Sequence, residues 1–190
     1  MAGFPTTGIL DDFNRASLGA FWTSPAFGAA NGGTINSNQF AHSGSGAAVA
    51  TAAKVGGPDV EAWITIATLP ASGNMGLDVQ CDGTTSTVNG YQLLYNAGTS
   101  TVSIRHLIAG SATLIGATIS QAIAAGDSVG IRVSGNATVL IEFWFKPSGG
   151  AWTFIDSRTE ARPAQIPYAP GFVGVTGPDT NARYDDFGGS

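Results

Sequence analysis

A chain of 190 residues is long enough for one well-buried domain and short for two. Charged residues make up only 11% against roughly 25% in an ordinary soluble domain. With 27 Gly and 43% hydrophobic residues, that favours short strands between many turns and gives helices little support. A net charge of −5 with eight scattered basic residues argues against nucleic acid as a partner, and the single Cys rules out an internal disulfide framework.

Taken in order, residues 1–10 read as a short lead-in and residues 11–190 as a single β-sandwich domain. The opening has no cationic region followed by an apolar run, so no cleaved signal is expected, and no segment is apolar enough for a membrane span. In residues 10–22, Phe13, Leu18 and Trp22 are spaced as apolar anchors of a loop whose Asp, Asn and Arg stay wet. Residues 26–53 are rich in small side chains, with short strands at 34–36 and 39–42 and with Ile35, Phe40 and Val49 as anchors. Residues 59–69 form a clear strand. Val60, Ala62, Ile64 and Ile66 point one way, and Glu61, Trp63, Thr65 and Ala67 the other. Residues 75–82 repeat the pattern with Leu77, Val79 and Cys81 inward and Asp78, Gln80 and Asp82 outward; the thiol reads as a buried small hydrophobe. Residues 91–95 and 101–107 form a hairpin around Asn96-Ala97-Gly98. A strand over 113–119 follows, and residues 121–126 have room for one helical turn at most.

The stretch 127–156 is the most regular. Val129, Ile131 and Val133 alternate with Ser128, Arg132 and Ser134, and Gly135-Asn136 supplies positive-φ residues for a tight turn. Val139, Ile141, Phe143 and Phe145 then oppose Leu140, Glu142, Trp144 and Lys146. One face is core and the other a candidate contact surface. Pro147-Ser148-Gly149-Gly150 closes a second turn before Trp152. Strands recurring every 8 to 14 residues with no sustained 3.6 period predict an all-β, two-sheet antiparallel sandwich. Asp-Asp-Phe occurs at 11–13 and again at 185–187, and these two segments are expected on adjacent strands.

Several pieces, in this order, resemble the concanavalin A-like, laminin G-like jelly-roll superfamily. They are Asp11-Asp12-Phe13-Asn14-Arg15 with Leu18-Gly19 and Trp22, Gly90-Tyr91-Gln92-Leu93, Gly126-Asp127-Ser128-Val129-Gly130-Ile131, the strand from Trp152 to Asp156, Gly171-Phe172-Val173-Gly174-Val175 and Tyr184-Asp185-Asp186-Phe187. The resemblance runs over nearly the whole chain from Asp11. It implies two packed antiparallel sheets with ligand sites on a concave face or in edge loops. It also implies a setting in bacteriophage virion proteins, as capsid decoration or tail component, or in accessory modules of extracellular carbohydrate-active enzymes. A start at Met1 without a signal points to the virion, made in the host cytoplasm.

Glycosidase relatives need two carboxylates facing each other across a sugar at about 5 to 10 Å. Glu61, Asp78, Asp82 and Glu142 point outward here as solvated strand-face groups, but the Glu-x-Asp-x-x-Glu strand of the glucanase relatives is absent. No catalytic residue is therefore assigned, and glycoside hydrolysis ranks third among the readings. His42 and His106 lack nucleophile partners, His106 falling on the Val102 and Ile104 face, and two His with one Cys lack zinc spacing. No cofactor is expected beyond a structural calcium that the resemblance implies, for which Asp12 and Asp186 offer hard oxygen ligands. The alternative is that these two cap loops or pair with Arg15 and Arg183. For binding, Trp63, Gln92, Asn96, Arg105, Arg132, Glu142, Trp144 and Lys146 could share one sheet face, with indoles stacking on pyranose rings and polar groups meeting hydroxyls. Equally, a loop, the N-terminal segment or a neighbouring subunit could cover the same Trp. The expectation is a non-enzymatic virion-surface protein with other virion subunits as partners, as a homo-oligomer or on a particle, and with cell-surface glycan as a further ligand. A carbohydrate-binding module in an extracellular system is the alternative.

Overall fold

Period-2 runs become strands wherever one face has apolar neighbours to meet. A computed structural model describes residues 3–28, 33–42, 47–51, 57–82, 87–177 and 181–190, and among these there is no helix. The strands are β1 (Ile9–Asp11), β2 (Trp22–Gly28), β3 (Gly33–Asn36), β4 (Gln39–His42), β5 (Ala47–Thr51), β6 (Val60–Thr68), β7 (Asn74–Asp82), β8 (Asn89–Asn96), β9 (Thr101–Ile108), β10 (Ser111–Leu114), β11 (Ile119–Ser120), β12 (Ser128–Ser134), β13 (Thr138–Lys146), β14 (Thr153–Ala161), β15 (Phe172–Thr176) and β16 (Arg183–Gly189). They form two eight-stranded antiparallel sheets. Sheet A runs β14-β13-β12-β6-β16-β4-β3 with β1 beside β16, and sheet B runs β10-β9-β8-β7-β15-β5-β2 with β11 beside β9.

The core lies between the sheets. Ile64, Ile131, Ile141, Phe143, Tyr184 and Phe187 of sheet A meet Leu77, Leu93, Ile104 and Val175 of sheet B, all essentially without solvent contact. Each such side chain contributes about 1.5–3 kcal/mol of hydrophobic stabilisation. Phe13 and Trp22 join this core, and the two Asp-Asp-Phe segments meet as expected, with Asp11 opposite Phe187. Asp11 itself is not wet. Its carboxylate takes both guanidinium nitrogens of Arg15 at 2.6 Å, the Trp22 indole N–H at 2.5 Å and the Phe13 backbone N–H at 2.8 Å. Burial works against the Asp11 charge, but these donors outweigh it and hold its carboxyl below the usual range.

Four local expectations change. The strand predicted over 113–119 ends at Leu114 and resumes at Ile119, because Gly116 turns the chain at φ +74. Residues 121–126 make no helical turn; the loop ends in a turn closed by the Asp127 N–H on the Ala124 carbonyl, with the Gly126 N–H bonded to the Ile66 carbonyl of β6. In the β12–β13 turn Gly135 takes positive φ and Asn136 does not. A bulge at Gln80, which adopts φ 52, rotates Cys81 away from Val79, so the thiol is buried in a separate cluster with Val88, Leu107 and Phe172.

Candidate functional site

Register sets the site. On the outward face of sheet A, one row across the strands reads Gly188, Trp63, Gly130, Trp144, Phe154, and the next row reads Glu61, Arg132, Glu142. The glycines leave room between the bulky indoles. Trp63 leans over Gly188, where a Cβ would meet the indole at 2.2 Å. Gly130 floors a slot walled by Trp63 and Trp144.

That slot is filled by the chain's own N-terminal segment. The ring of Phe4 lies flat on Trp144, with centroids 5.1 Å apart and planes 8° off parallel, and meets the edge of Trp152 at 4.8 Å. Phe4, Trp63 and Trp144 thus form a small apolar cluster of their own, separate from the core, with Trp152 packed against it. The Arg132 guanidinium sits 5.1 Å from the Phe4 ring centre and 5.7 Å from that of Trp144. Further along, one oxygen of Glu61 accepts the backbone N–H of Thr6 at 2.6 Å, the N–H of Thr7 at 3.0 Å and the Thr7 hydroxyl at 2.8 Å. Its other oxygen accepts Arg132 Nε at 3.2 Å and Nη2 at 2.9 Å. Arg132 also donates to the Gly3 carbonyl at 2.9 Å and approaches Glu142 at 3.6 Å. Burial opposes the charge on Glu61, and the donors from Arg132, Thr7 and Thr6 overcome it, so its carboxyl is held below the usual range. A cavity of about 120 Å³ lies beside the segment, lined by Thr6, Glu61, Arg132, Ser134 and Ser190 among others. Both Trp63 Nε1 and Trp144 Nε1 are buried without a hydrogen-bond partner.

The eight residues named from sequence do not share one face. Trp63, Arg132, Glu142 and Trp144 come together on sheet A, and Lys146 ends the same strand near Asp186, whose acidity it favours. Arg105, Gln92 and Asn96 stand on the outward face of sheet B instead, since β8 and β9 belong to the other layer. There Asp78 is deeply buried and bonded to Gln92 Nε2 at 2.9 Å, and Arg105 donates to Ser103 at 3.3 Å. Burial pushes the Asp78 carboxyl up to about 7. Glu61, Asp78 and Glu142 are therefore buried, not solvated. His106, on the inner side, pairs with Glu160 across the two sheets at 3.0 Å.

Toward calcium, the fit is poor. Asp12 caps the Asn14 N–H at 3.1 Å, and Arg15 is bound by Asp11. Asp186 is pushed up by burial and by the charges of Asp185 and Asp12, with Lys146 opposing. Among the described residues no three His, Cys, Asp or Glu side chains converge as a metal would need.

Phe4, Thr6, Thr7 and Trp152 were not among the sequence candidates. The available signal was a lone aromatic in a lead-in of small residues, together with Gly130 breaking an otherwise branched strand where a second chain segment comes close.

Two sheets, their order and the enclosed core define a concanavalin A-like jelly roll. No protein-family model matches the sequence, and no curated protein matches it. Among solved structures, the chain is similar to a carbohydrate-binding module, CBM66, from Bacillus subtilis (TM-score 0.59, 14% identity, covering 88% of this chain and 91% of that one). It is similar as well to a lichenase, a β-1,3-1,4-glucanase from a mouse hindgut metagenome (TM-score 0.58, 12% identity, 94% and 96% covered). A xylan β-1,4-xylosidase from Bacillus halodurans is matched over 100% of this chain but only 40% of its own (TM-score 0.57, 16% identity).

Proposed function

We propose that this protein is a non-enzymatic glycan-binding adhesion module of the virion-surface kind, working through the outward face of sheet A and assembling with other virion subunits. The observation that carries this reading is the row of Trp63, Gly130 and Trp144 beside Glu61, Arg132 and Glu142: a slot two strand spacings wide, about 9.5 Å, lined by indoles and edged with charges. Aromatic faces with adjacent polar groups suit the apolar side and the hydroxyls of a sugar. A non-catalytic role is supported by the state of the carboxylates. Glu61 and Glu142 share Arg132 between them, and Asp78 lies on the opposite layer bonded to Gln92. None of these stands as an acid facing a base across an open cleft.

A second reading, a carbohydrate-binding module of an extracellular glycan-active system, is favoured by the similarity in fold to CBM66, which extends over 91% of that module. Both readings predict binding to a glycan array that is lost in Trp144→Ala, with no hydrolysis of any bound glycan. Binding to no glycan by any form of the protein sinks both. Turnover that disappears in Glu142→Gln overturns the non-enzymatic assignment. Light scattering of the purified chain, alone and mixed with virion particles, separates the two, since the virion role predicts an oligomer or binding to the particles, and the module a monomer that stays free of them.

A further inference from the structure

Three of the four tryptophans stand on or beside the outward face of a single sheet, which a sandwich does not need for its core. They enclose a slot shaped for one six-membered ring, and the ring in it is Phe4. Resting on the glycan-binding reading, we propose that residues 3–7 are a displaceable strap that occupies the sugar slot, and that a neutral pyranose competes with Phe4 for the face of Trp144.

Three observations argue that the strap gates the slot. First, its hold is local. Residues 3–8 belong to no strand, and residues 3, 6 and 7 are tied by hydrogen bonds to the Glu61 and Arg132 side chains. Gly8 has open space around it, and Ile9 and Leu10 are exposed, so the segment can lift from a hinge just before β1 pairs with β16. Second, the slot is polar where Phe4 cannot use it. The buried indole N–H of Trp144 has no acceptor, a cost that an aromatic ring leaves standing and that a sugar hydroxyl oxygen would relieve. The cavity beside Glu61 and Arg132 adds room for substituents on such a ring. Third, the charges select for neutrality. Arg132 is already flanked by two glutamates, so the row carries a net negative charge that would repel an acidic sugar.

A strap of this kind lowers apparent affinity by the fraction of molecules in which the slot is open. Loosening it therefore raises affinity without adding a contact. The test measures binding of the full chain and of Phe4→Ala to soluble β-glucan, xylan and mannan by titration calorimetry, with Trp144→Ala in the Phe4→Ala background as control. Circular dichroism melts confirm that each variant is folded, and iodide quenching of tryptophan fluorescence reports slot opening independently of any ligand. The expected result is greater quenching in Phe4→Ala and affinity for one of these polysaccharides raised about tenfold or more, then lost in the double variant. Equal affinity of the full chain and Phe4→Ala, with binding still dependent on Trp144, overturns the gating and leaves the glycan reading intact. Binding by neither overturns both. If Phe4→Ala instead captures a synthetic Gly-Phe-Pro-Thr-Thr peptide and no polysaccharide, the slot serves strap exchange between copies and the sugar assignment fails.

Discussion

Two buried titratable residues pull stability in opposite pH directions. His42 lies buried against the Phe40 and Tyr184 rings, and burial drives its pKa down from 6.5 to about 4. The folded state therefore prefers the neutral ring, and stability is lost as pH falls from about 6.5 toward 4, by up to about 3 kcal/mol. Asp78 is the reverse case. Its folded pKa of about 7 lies above the unfolded 3.8, so it favours the fold when protonated, and that contribution drains away as pH rises from about 4 to 7. Asp78→Asn keeps an acceptor for Gln92 and removes the buried charge. It should raise stability at pH 8 by an amount on the order of 1–3 kcal/mol, read as a higher melting temperature, and change it little at pH 4; equal melting shifts at both pH values would contradict the burial argument. His42→Phe should flatten the acid limb in the same melts. Cys81, whose thiol burial pushes well up, should stay unreactive toward a thiol reagent until the protein unfolds.

At the scale of elements, the alternation of side chains was legible and the fate of the outward face was not. Val139, Ile141 and Phe143 had to point inward once β13 was a strand, and they do. Nothing in the period-2 pattern says what lies over Glu142 and Trp144, because a face covered by a segment more than a hundred residues away reads the same as one open to water. The Gln80 bulge was equally silent: a single positive-φ residue shifts Cys81 to another cluster without altering the alternation of residue types. Which sheet holds each strand is a third such case, and it separates Arg105 from Arg132 although both read as outward. The segment leading from β1 carries its own test. Asp11 serves Arg15, Trp22 and the Phe13 N–H at once, so Asp11→Ala leaves a cation and an indole donor without an acceptor. Loss of about 2–4 kcal/mol in chemical denaturation is expected, while Asp12→Ala, which removes one exposed loop cap, should leave the denaturation midpoint close to that of the parent chain.

For the whole molecule, the order of anchors along the chain carried the jelly roll. Scattered short runs at 34–36, 60–66, 91–95 and 172–175 are individually weak, yet each finds a partner strand in one of two sheets around a shared core. The meeting of β1 with β16 was legible for a similar reason, since repeated Asp-Asp-Phe marks two chain ends built alike. Calcium is a whole-molecule question as well. With Asp12 used as a cap and Asp186 disfavoured as an anion by burial and by its acidic neighbours, chelation should leave the melting temperature unchanged; a clear drop would assign a metal to these carboxylates. The central claim is that the outward face of sheet A, and not that of sheet B, is where ligand binds. Indole resonances in a ¹H–¹⁵N spectrum test it most directly, because the four tryptophans divide into Trp22 in the core and Trp63, Trp144 and Trp152 at the slot. On addition of the polysaccharide that binds, the slot indoles should shift and Trp22 should stay still. Shifts confined instead to the backbone around Asp78, Gln92 and Arg105 would contradict the account.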